Sequence, residues 1–556
     1  MKTGRNLSLT LRQVINEEMA PPKTLRERIG RTIDQWMMAI APRAGVRRMQ
    51  ARWAGKILNA SYRGAEKNRL RKDWSPLGGS ADADLLPDLP TLRERSRDLN
   101  RNDAHAAAIT GTVVVNVVGS GIRPQSRVDR TALGITDDEA RAYERAVERA
   151  WRRWMPHADS QGRADFYELE SLIQRQILEN GEVLVLPLMI KDEPWRPYRL
   201  ALEVIEADRL ETPPGKRGDA TIRDGVELGE RGQPVAYWIR KRHPGDLLLG
   251  RAIARTDAEY IRYPARNSAG RPNVLHLYWK KRPGQTRGEP FFAPVMTAFK
   301  DLGDYLEAEI VAARVAACFA VFIKKTDALG AVTNATTVES GQRIEELEPG
   351  IIDYLLPGEE VQTAIPQRAG GTFEPFVLAV LRSMCAALGL PLLLVLKDFS
   401  KVNYSSARAA LLEARRFFRS YQQWLACRFC QPVWEMLLEE AWLKAELPGV
   451  NLFGPEREDW LRARWIAPGW GWVDPVKEVQ ASKLAVQSGI STLADENAAQ
   501  GRDWEETRDQ QKTERDSYAA LGMPYPADAP TTNQAGELAP NGGGQETETE
   551  EAYAES

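Results

Sequence analysis

Apolar and polar positions run through this chain at two periods, and the changes between them mark its parts. Residues 92–118 are apolar-rich and read as helix on the alanines of 104–108, although the run Val113-Val114-Val115 favours a strand. Residues 137–154 are amphipathic at 3.6 residues per turn, with Tyr143, Val147 and Trp154 on one face and charges on the other. Residues 166–179 predict another helix, ended by Gly181. The pattern then turns to strands at 183–190, 199–205 and 274–279, with a hairpin over 225–239 turning at Gly229-Glu230-Arg231-Gly232. An α+β domain over 75–288 follows, its first residues to Pro90 reading as a Pro/Gly/Ser/Asp linker.

The helical period returns at 294–318, with Phe299, Leu302, Leu306 and Ile310 on the apolar side and Asp304 and Glu307 on another. Residues 319–371 read as short strands and turns with a helix near 340–346, and residues 373–388 as a second long helix. A compact insert thus sits between two helices that leave and come back. Gly389-Leu390-Pro391 breaks the chain, because Gly ends helices and Pro excludes the preceding residue from helical geometry. Ser405 or Ser406 is placed to cap the next helix. That helix carries an apolar stripe of Leu411, Phe418, Leu425 and Phe429, with Arg408, Arg415 and Arg419 on a neighbouring stripe. After a Trp- and Pro-rich stretch, Asp474-Pro475 opens a helix over 476–487; helices over 493–500 and 503–521 follow, the last from Asp503-Trp504-Glu505-Glu506. Residues 524–556 are low in complexity, acidic and poor in apolar side chains, which predicts disorder. No internal repeat is visible.

Charge changes this picture at the ends. The net charge is only −2, yet residues 1–74 hold 17 Lys+Arg against 6 Asp+Glu, so a basic, helix-patterned arm precedes an acidic remainder. Four cysteines in 556 residues make no disulfide framework. Cys427 and Cys430 form a CxxC inside the long helix without a second Cys or His pair, short of a zinc site's ligand count. Cysteine usage fits a reducing compartment; no apolar run reaches spanning length and no signal peptide is visible. The sixteen tryptophans suit interfaces.

Catalytic motifs are missing. Gly119-Ser120-Gly121 starts like a dinucleotide loop, but Pro124 stands where the last glycine belongs. No P-loop, nucleophile elbow, HExxH or HxH occurs, and Glu206 with Asp208 reads as a solvated strand end rather than an acid–base pair. The expectation is a protein with no catalytic residue, cofactor or metal.

Four segments carry a resemblance. They are Arg101-Asn102-Asp103 leading to Asn116-Val117-Val118-Gly119-Ser120-Gly121-Ile122-Arg123-Pro124; Glu203-Val204-Ile205-Glu206-Ala207-Asp208-Arg209-Leu210; Val274-Leu275-His276-Leu277 leading to Arg282-Pro283-Gly284-Gln285-Thr286-Arg287-Gly288; and Asn403-Tyr404-Ser405-Ser406-Ala407-Arg408. In this order the chain resembles the portal proteins of lambda-type tailed phages over residues 92–445, more weakly to 523. The resemblance implies a mainly helical α+β subunit of a ring of about twelve. Its parts would be the basic arm (1–74), an α+β wing (75–288), a first stem helix (289–318), a clip (319–372), a second stem helix (373–389), a tunnel loop (390–403), a long wing helix with its following segment (404–473), a helical crown (474–523) and the acidic tail (524–556).

The implied function is a passage for double-stranded DNA at one capsid vertex during packaging and ejection. The implied partners are the terminase large subunit, a head-completion or adaptor protein, the major capsid protein and scaffold, with no membrane. The place is the virion, after assembly in the host cytoplasm. Dense cations would brake the polymer, so the implied bore is acidic or neutral with few cations at a constriction. Asp301, Asp304 and Glu307 are the stem candidates; Lys397, Lys401, Asn403 and Arg408 are the tunnel-loop candidates. The competing readings are a monomeric DNA-binding enzyme using the basic arm and a capsid or baseplate protein without DNA contact.

Overall fold

The computed structural model describes residues 36, 78–191, 193–249, 259–317, 321–325, 359–363, 373–400, 402–447, 449–471 and 474–526. The chain forms two compact units, 1–79 and 80–556. Of the first, only Trp36, helical and exposed, and Gly78 and Gly79 are described, so the expected basic arm lies outside the described residues. So do the expected helix at 340–346, Cys318, Lys401 and the tail from 527.

The second unit mixes helix and sheet. Helix α1 (Leu89–Asn102) and helix α2 (Ala104–Val117) divide at Asp103, whose carboxylate accepts the Ala106 N–H and caps α2. The valine run is helical: Val113, Val114 and Val117 are buried while Val115 is exposed, a helical rather than alternating pattern. Strand β1 (Arg123–Ser126) follows, then α3 (Asp137–Trp154) and α4 (Phe166–Asn180), each opened by a capping box, Thr136 with Glu139 and Asp165 with Glu168. Gly181 ends α4 at φ +83°. The stretch expected as a linker is packed from Ser80 onward: Ala81–Leu85 is a capped helical turn, and Ala81 and Asp82 are buried.

Strands β2 (Glu182–Met189), β3 (Leu200–Glu206) and β8 (Leu275–Tyr278) form an antiparallel sheet in the order β3-β2-β8, with Val185 opposite both Val204 and Leu275. A second antiparallel sheet runs β4 (Ile222–Arg223), β5 (Val226–Leu228), β6 (Pro234–Arg240) and β7 (Tyr260–Pro264), and contains the expected hairpin. Alternating residues of β2 divide the sheet's two faces. Val183 and Val185 join the main core with the helices; Leu184 and Leu186 join a smaller core with Leu210, Tyr237 and Ile239.

Helix α5 (Met296–Ala317) leads to the antiparallel pair β9 (Val321–Lys325) and β10 (Glu359–Thr363), and α6 (Phe373–Ala387) returns. Tyr305 of α5 meets Phe373 and Phe376 of α6. Of the expected stripe on α5, Phe299 and Leu302 are buried and Leu306 half-buried, but Ile310 is exposed. Gly389 (φ +73°) closes α6 in a Schellman motif, with Leu390 N–H to Cys385 O at 2.9 Å and Gly389 N–H to Ala386 O at 3.2 Å.

A five-residue helix, α7 (Leu392–Leu396), occupies part of the stretch expected as loop, and Val395 is buried in the core. The long helix α8 starts at Tyr404 and runs to Leu425. It is capped by Asn403, whose Oδ1 accepts the Ser406 N–H at 2.8 Å, and not by Ser405 or Ser406, which lie in its first turn. Phe418, Leu425 and Phe429 are buried as the stripe requires, while Leu411 is half-buried. A π-helical turn, Ala426–Cys430, joins α8 to α9 (Gln431–Leu443). Pro432 explains it: a proline has no N–H for the carbonyl four residues back and its ring crowds that carbonyl.

Strand β11 (Ala463–Ile466) pairs antiparallel with β1, Arg123 opposite Ile466. Helices α10 (Pro475–Gln487), α11 (Leu493–Ala499) and α12 (Trp504–Ala520) end the described chain, with caps from Asp474, Thr492 and Asp503. Four of the sixteen tryptophans, Trp151, Trp154, Trp434 and Trp460, are buried in the core, and Trp151 contacts Trp154, Trp434 and Trp465.

Candidate functional site

A buried charged centre lies where two of the four distinctive segments, 203–210 and 274–288, meet. Glu182, the first residue of β2, is fully buried. Its Oε1 accepts from Arg93 (2.5 Å) and Arg287 (2.6 Å); its Oε2 accepts the Gly288 N–H (2.6 Å) and lies 2.9 Å from His276 Nε2. Burial alone raises a carboxyl, but Arg287, Arg93 and His276 together hold Glu182 well below the usual carboxylate range. Arg287 is fully buried as well and donates to the carbonyls of Leu210 and Ala207 at 3.0 Å each and to Asp224. Asp224 takes a left-handed backbone (φ +44°) to reach it.

The same segments form the rim. Asp208 is bound by Arg97 through both carboxylate oxygens, and this pairing, outweighing burial, lowers its pKa. Gln285 accepts the Lys281 and Arg282 N–H groups and donates to Arg287 O, and Asp82 accepts from the Thr286 N–H and hydroxyl. Gly288 is required by proximity: a Cβ there would lie 2.1 Å from Gly181 O. Each charge named here has a partner, so the centre fixes loops in place. Asp208 is therefore a structural ion-pair partner.

The Gly119-Ser120-Gly121 loop is likewise a packing device. A Cβ on Gly121 (φ +101°) would stand 2.2 Å from the Tyr167 ring, and one on Gly119 would meet Pro468 at 3.2 Å. Asn116, from the same segment, accepts Trp470 Nε1–H on its side chain and Gln422 Nε2–H on its carbonyl, tying α2 to α8.

The channel candidates lie elsewhere, on the surface. Asp301, Asp304 and Glu307 are exposed along α5, opposite buried Phe299 and Leu302. Lys300 bonds Asp304 one turn away, which raises the Lys300 pKa and offsets part of the acidic stripe. Lys397 is exposed and caps α7 in the left-handed region at φ +55°. Beyond it, Asp398 accepts the Ser400 N–H and hydroxyl in a tight turn. The Asn403 side chain is engaged as the α8 cap.

Arg408 is half-buried and acts on Asp474, at the start of α10, as a second cation beside Lys477. Its stripe-mates Arg415 and Arg419 lie over the Trp470 ring, each 5.6 Å from its centroid. The basic stripe of α8 thus faces the acidic start of the C-terminal helices. Sequence reasoning missed Glu182, Arg93, Arg97 and Asp224. The one signal was the segment 282–288, where Arg-Gly follows a turn, as a buried arginine beside a close backbone approach requires.

Cys430 is buried and donates to Glu170 Oε1 at 3.2 Å, while Cys427 is exposed. Among the described residues no group of three His, Cys, Asp or Glu side chains is placed to hold a metal, and no helix is long and apolar enough to cross a membrane.

The family described as "Phage portal protein, lambda family" matches residues 67–422, well over half of the chain and all four distinctive segments. The chain belongs to the lambda family of phage portal proteins. It is 28% identical over 482 residues to the probable portal protein of Halomonas phage phiHAP-1, covering 84% of this chain and 89% of that one. It is 26% identical over 496 residues to portal protein B of Escherichia phage lambda, covering 84% and 91%. Among solved structures, a chain in the neck of a native gene transfer agent particle is 16% identical, with a TM-score of 0.34, covering 71% of this chain and 99% of that one. This portal protein thus covers most of the length of these two phage relatives, and the family match takes in both the buried centre and the exposed candidates.

Proposed function

We propose that this portal protein forms a ring of about twelve copies at one capsid vertex, through which double-stranded DNA enters during packaging and leaves during ejection. The observation that carries the reading is the family match across residues 67–422, extended by portal proteins over 84% of the chain. The ring docks the terminase large subunit during packaging and a head-completion or adaptor protein afterwards, and it meets the major capsid protein and scaffold at its rim. It is a structural conduit, not an enzyme.

In this reading α5 and α6 are the stem and β9–β10 belong to the clip. The stretch from Leu390 to Asn403 is the tunnel loop, with α7 as its anchored half. The sheets, α1–α4, α8 and α9 are the wing, and α10–α12 the crown. Two features support the stem assignment. Exposed Ile310 and Val311 on α5, and exposed Phe376 on α6, are apolar surface that a neighbouring copy would cover. The exposed acidic face of α5 suits a bore that must not grip phosphate. A heterologous ring contact of this kind closes only at a fixed copy number. Light scattering coupled to size exclusion tests the reading: a closed ring gives about 0.75 MDa, roughly twelve times the 62.3 kDa chain. A monodisperse monomer at micromolar concentration across several salt conditions overturns it.

A further inference from the structure

Named polar contacts join the three C-terminal helices to the rest of the fold. Among the described residues, none in α10, α11 or α12 is buried. The joint is made by Gln125 Nε2 donating to Asp503 Oδ1 (2.7 Å), Arg464 to Asp495 (2.9 Å) and Arg152 beside Glu506 (3.9 Å), with the backbone of Gly501 against that of Gly469. Beneath α12, between it, α3 and β1, lies a cavity of about 700 Å³ walled by Trp151, Met155, Tyr167 and Ile466. An element with no buried residue opens at small free-energy cost.

Among the described residues, no cation is bonded to Glu148, a carboxyl at this joint. Glu148 of α3 lines the cavity and accepts the Ser126 N–H at 3.1 Å, so it faces the strand that carries Gln125. The charged groups around it come from three sides. Its own helix offers Glu144 and Arg152, β1 offers Arg123, and the C-terminal segment offers Arg502, Asp503, Glu505, Glu506 and Glu514. When ionised, Glu148 repels Asp503 and Glu505 at the first turn of α12, the turn that Gln125 holds.

We propose that Glu148 is a proton-operated latch: protonated, it lets α12 seat on β1 and α3; ionised, it drives the C-terminal helices off that seat. Burial, with Asp503 and Glu505 adding to it and Arg152 opposing, pushes the Glu148 carboxyl up to about 7. The sign follows. The seated form binds the proton more tightly than the released form, whose carboxyl returns toward 4.5, so seating is favoured at low pH and weakens as pH rises from about 4.5 to about 7. The proton passes to water through the cavity.

The test is hydrogen–deuterium exchange of the full chain, reading the amides of residues 501–520 between pH 5 and 7.5 after correction for intrinsic rates. The wild type is expected to lose protection there by roughly fiftyfold. Glu148→Gln keeps the acceptor for Ser126 without the charge, and is expected to stay protected across the range. Asp503→Asn keeps the α12 cap but removes the facing charge, and is expected to move the transition to lower pH. A wild type with no pH dependence, or a Glu148→Gln profile that follows the wild type, overturns the proposal. Should Glu148→Gln fail to fold, an Asp503→Asn transition at the wild-type pH overturns it as well.

Discussion

Glu182 and Arg287 meet at 2.6 Å with neither side chain exposed to solvent. Removing one partner of a buried pair leaves an uncompensated charge, which costs about 3–5 kcal/mol. Arg287 also satisfies the carbonyls of Ala207 and Leu210, so Arg287→Met orphans these too. The expected outcome is a loss at the upper end of that range, measured by urea unfolding, and poor soluble yield.

The same pair sets an acid limit. The Glu182 carboxyl is held below its ordinary value of 4.5 in the folded chain. Its contribution is therefore complete above pH 4.5 and is lost as pH falls through the lower folded value. Urea midpoints measured from pH 7 to pH 3 are expected to fall more steeply below pH 4.5 in the wild type than in Glu182→Gln, which has no proton to take up. Parallel curves would show that the pair does not govern acid unfolding.

Much of the helical frame was legible because its periodicity is local. Residues 137–154 carry an apolar face, a Thr-x-x-Glu start and a charged remainder, and α3 has those bounds. The β1–β11 ribbon was not legible: its strands are four residues each, one contains Pro124, and they lie more than 330 residues apart. The cap of α8 was misplaced by two to three residues because Asn403, Ser405 and Ser406 are all good caps, and the backbone chose the first. The charged centre was hidden for another reason. Arg93, Glu182 and Asp224 stand in no motif, and only the fold brings them to Arg287 from distant segments. Asp301, Asp304 and Glu307 are each exposed on α5, and Arg408 adds a favourable charge interaction with Asp474.

Gly121→Ala is expected to be severe. The position combines φ +101° with a Cβ 2.2 Å from the Tyr167 ring, so strain and overlap add. A loss of about 3 kcal/mol or more follows. The double variant Gly121→Ala/Tyr167→Ala removes the overlap and leaves the strain. It is expected to lose less than the sum of the two single changes, a coupling that a double-mutant cycle of unfolding free energies measures directly.

Ile310 and Val311 are about half exposed on α5. Ile310→Glu/Val311→Glu places charge where a second copy is expected to pack. Surface changes of this kind leave the monomer's unfolding within about 0.5 kcal/mol. The expected result is a folded chain, by circular dichroism and melting, that elutes below the mass of the ring. Full-size rings from this variant would move the subunit contact away from this face.

Lys397 separates the cost of a residue from its use. It ends α7 at φ +55°, a conformation glycine adopts freely and a side chain does not, and its ammonium is exposed. A lysine kept in that conformation costs about 1 kcal/mol relative to glycine. Lys397→Gly is therefore expected to raise stability slightly while removing the cation. If the stretch to Asn403 is the loop that touches DNA, Lys397→Gly/Lys401→Ala yields stable, full-size rings that package or retain DNA poorly, because each lost phosphate contact weakens a salt-dependent interaction. Procapsids built with the double variant decide the matter through packaging yield, DNA retention in particles and infectivity. Wild-type values in all three would strip the loop of its role. Loss of rings would instead show that the turn through Asp398 and Ser400 is part of the frame, since an exposed lysine alone contributes little to folding.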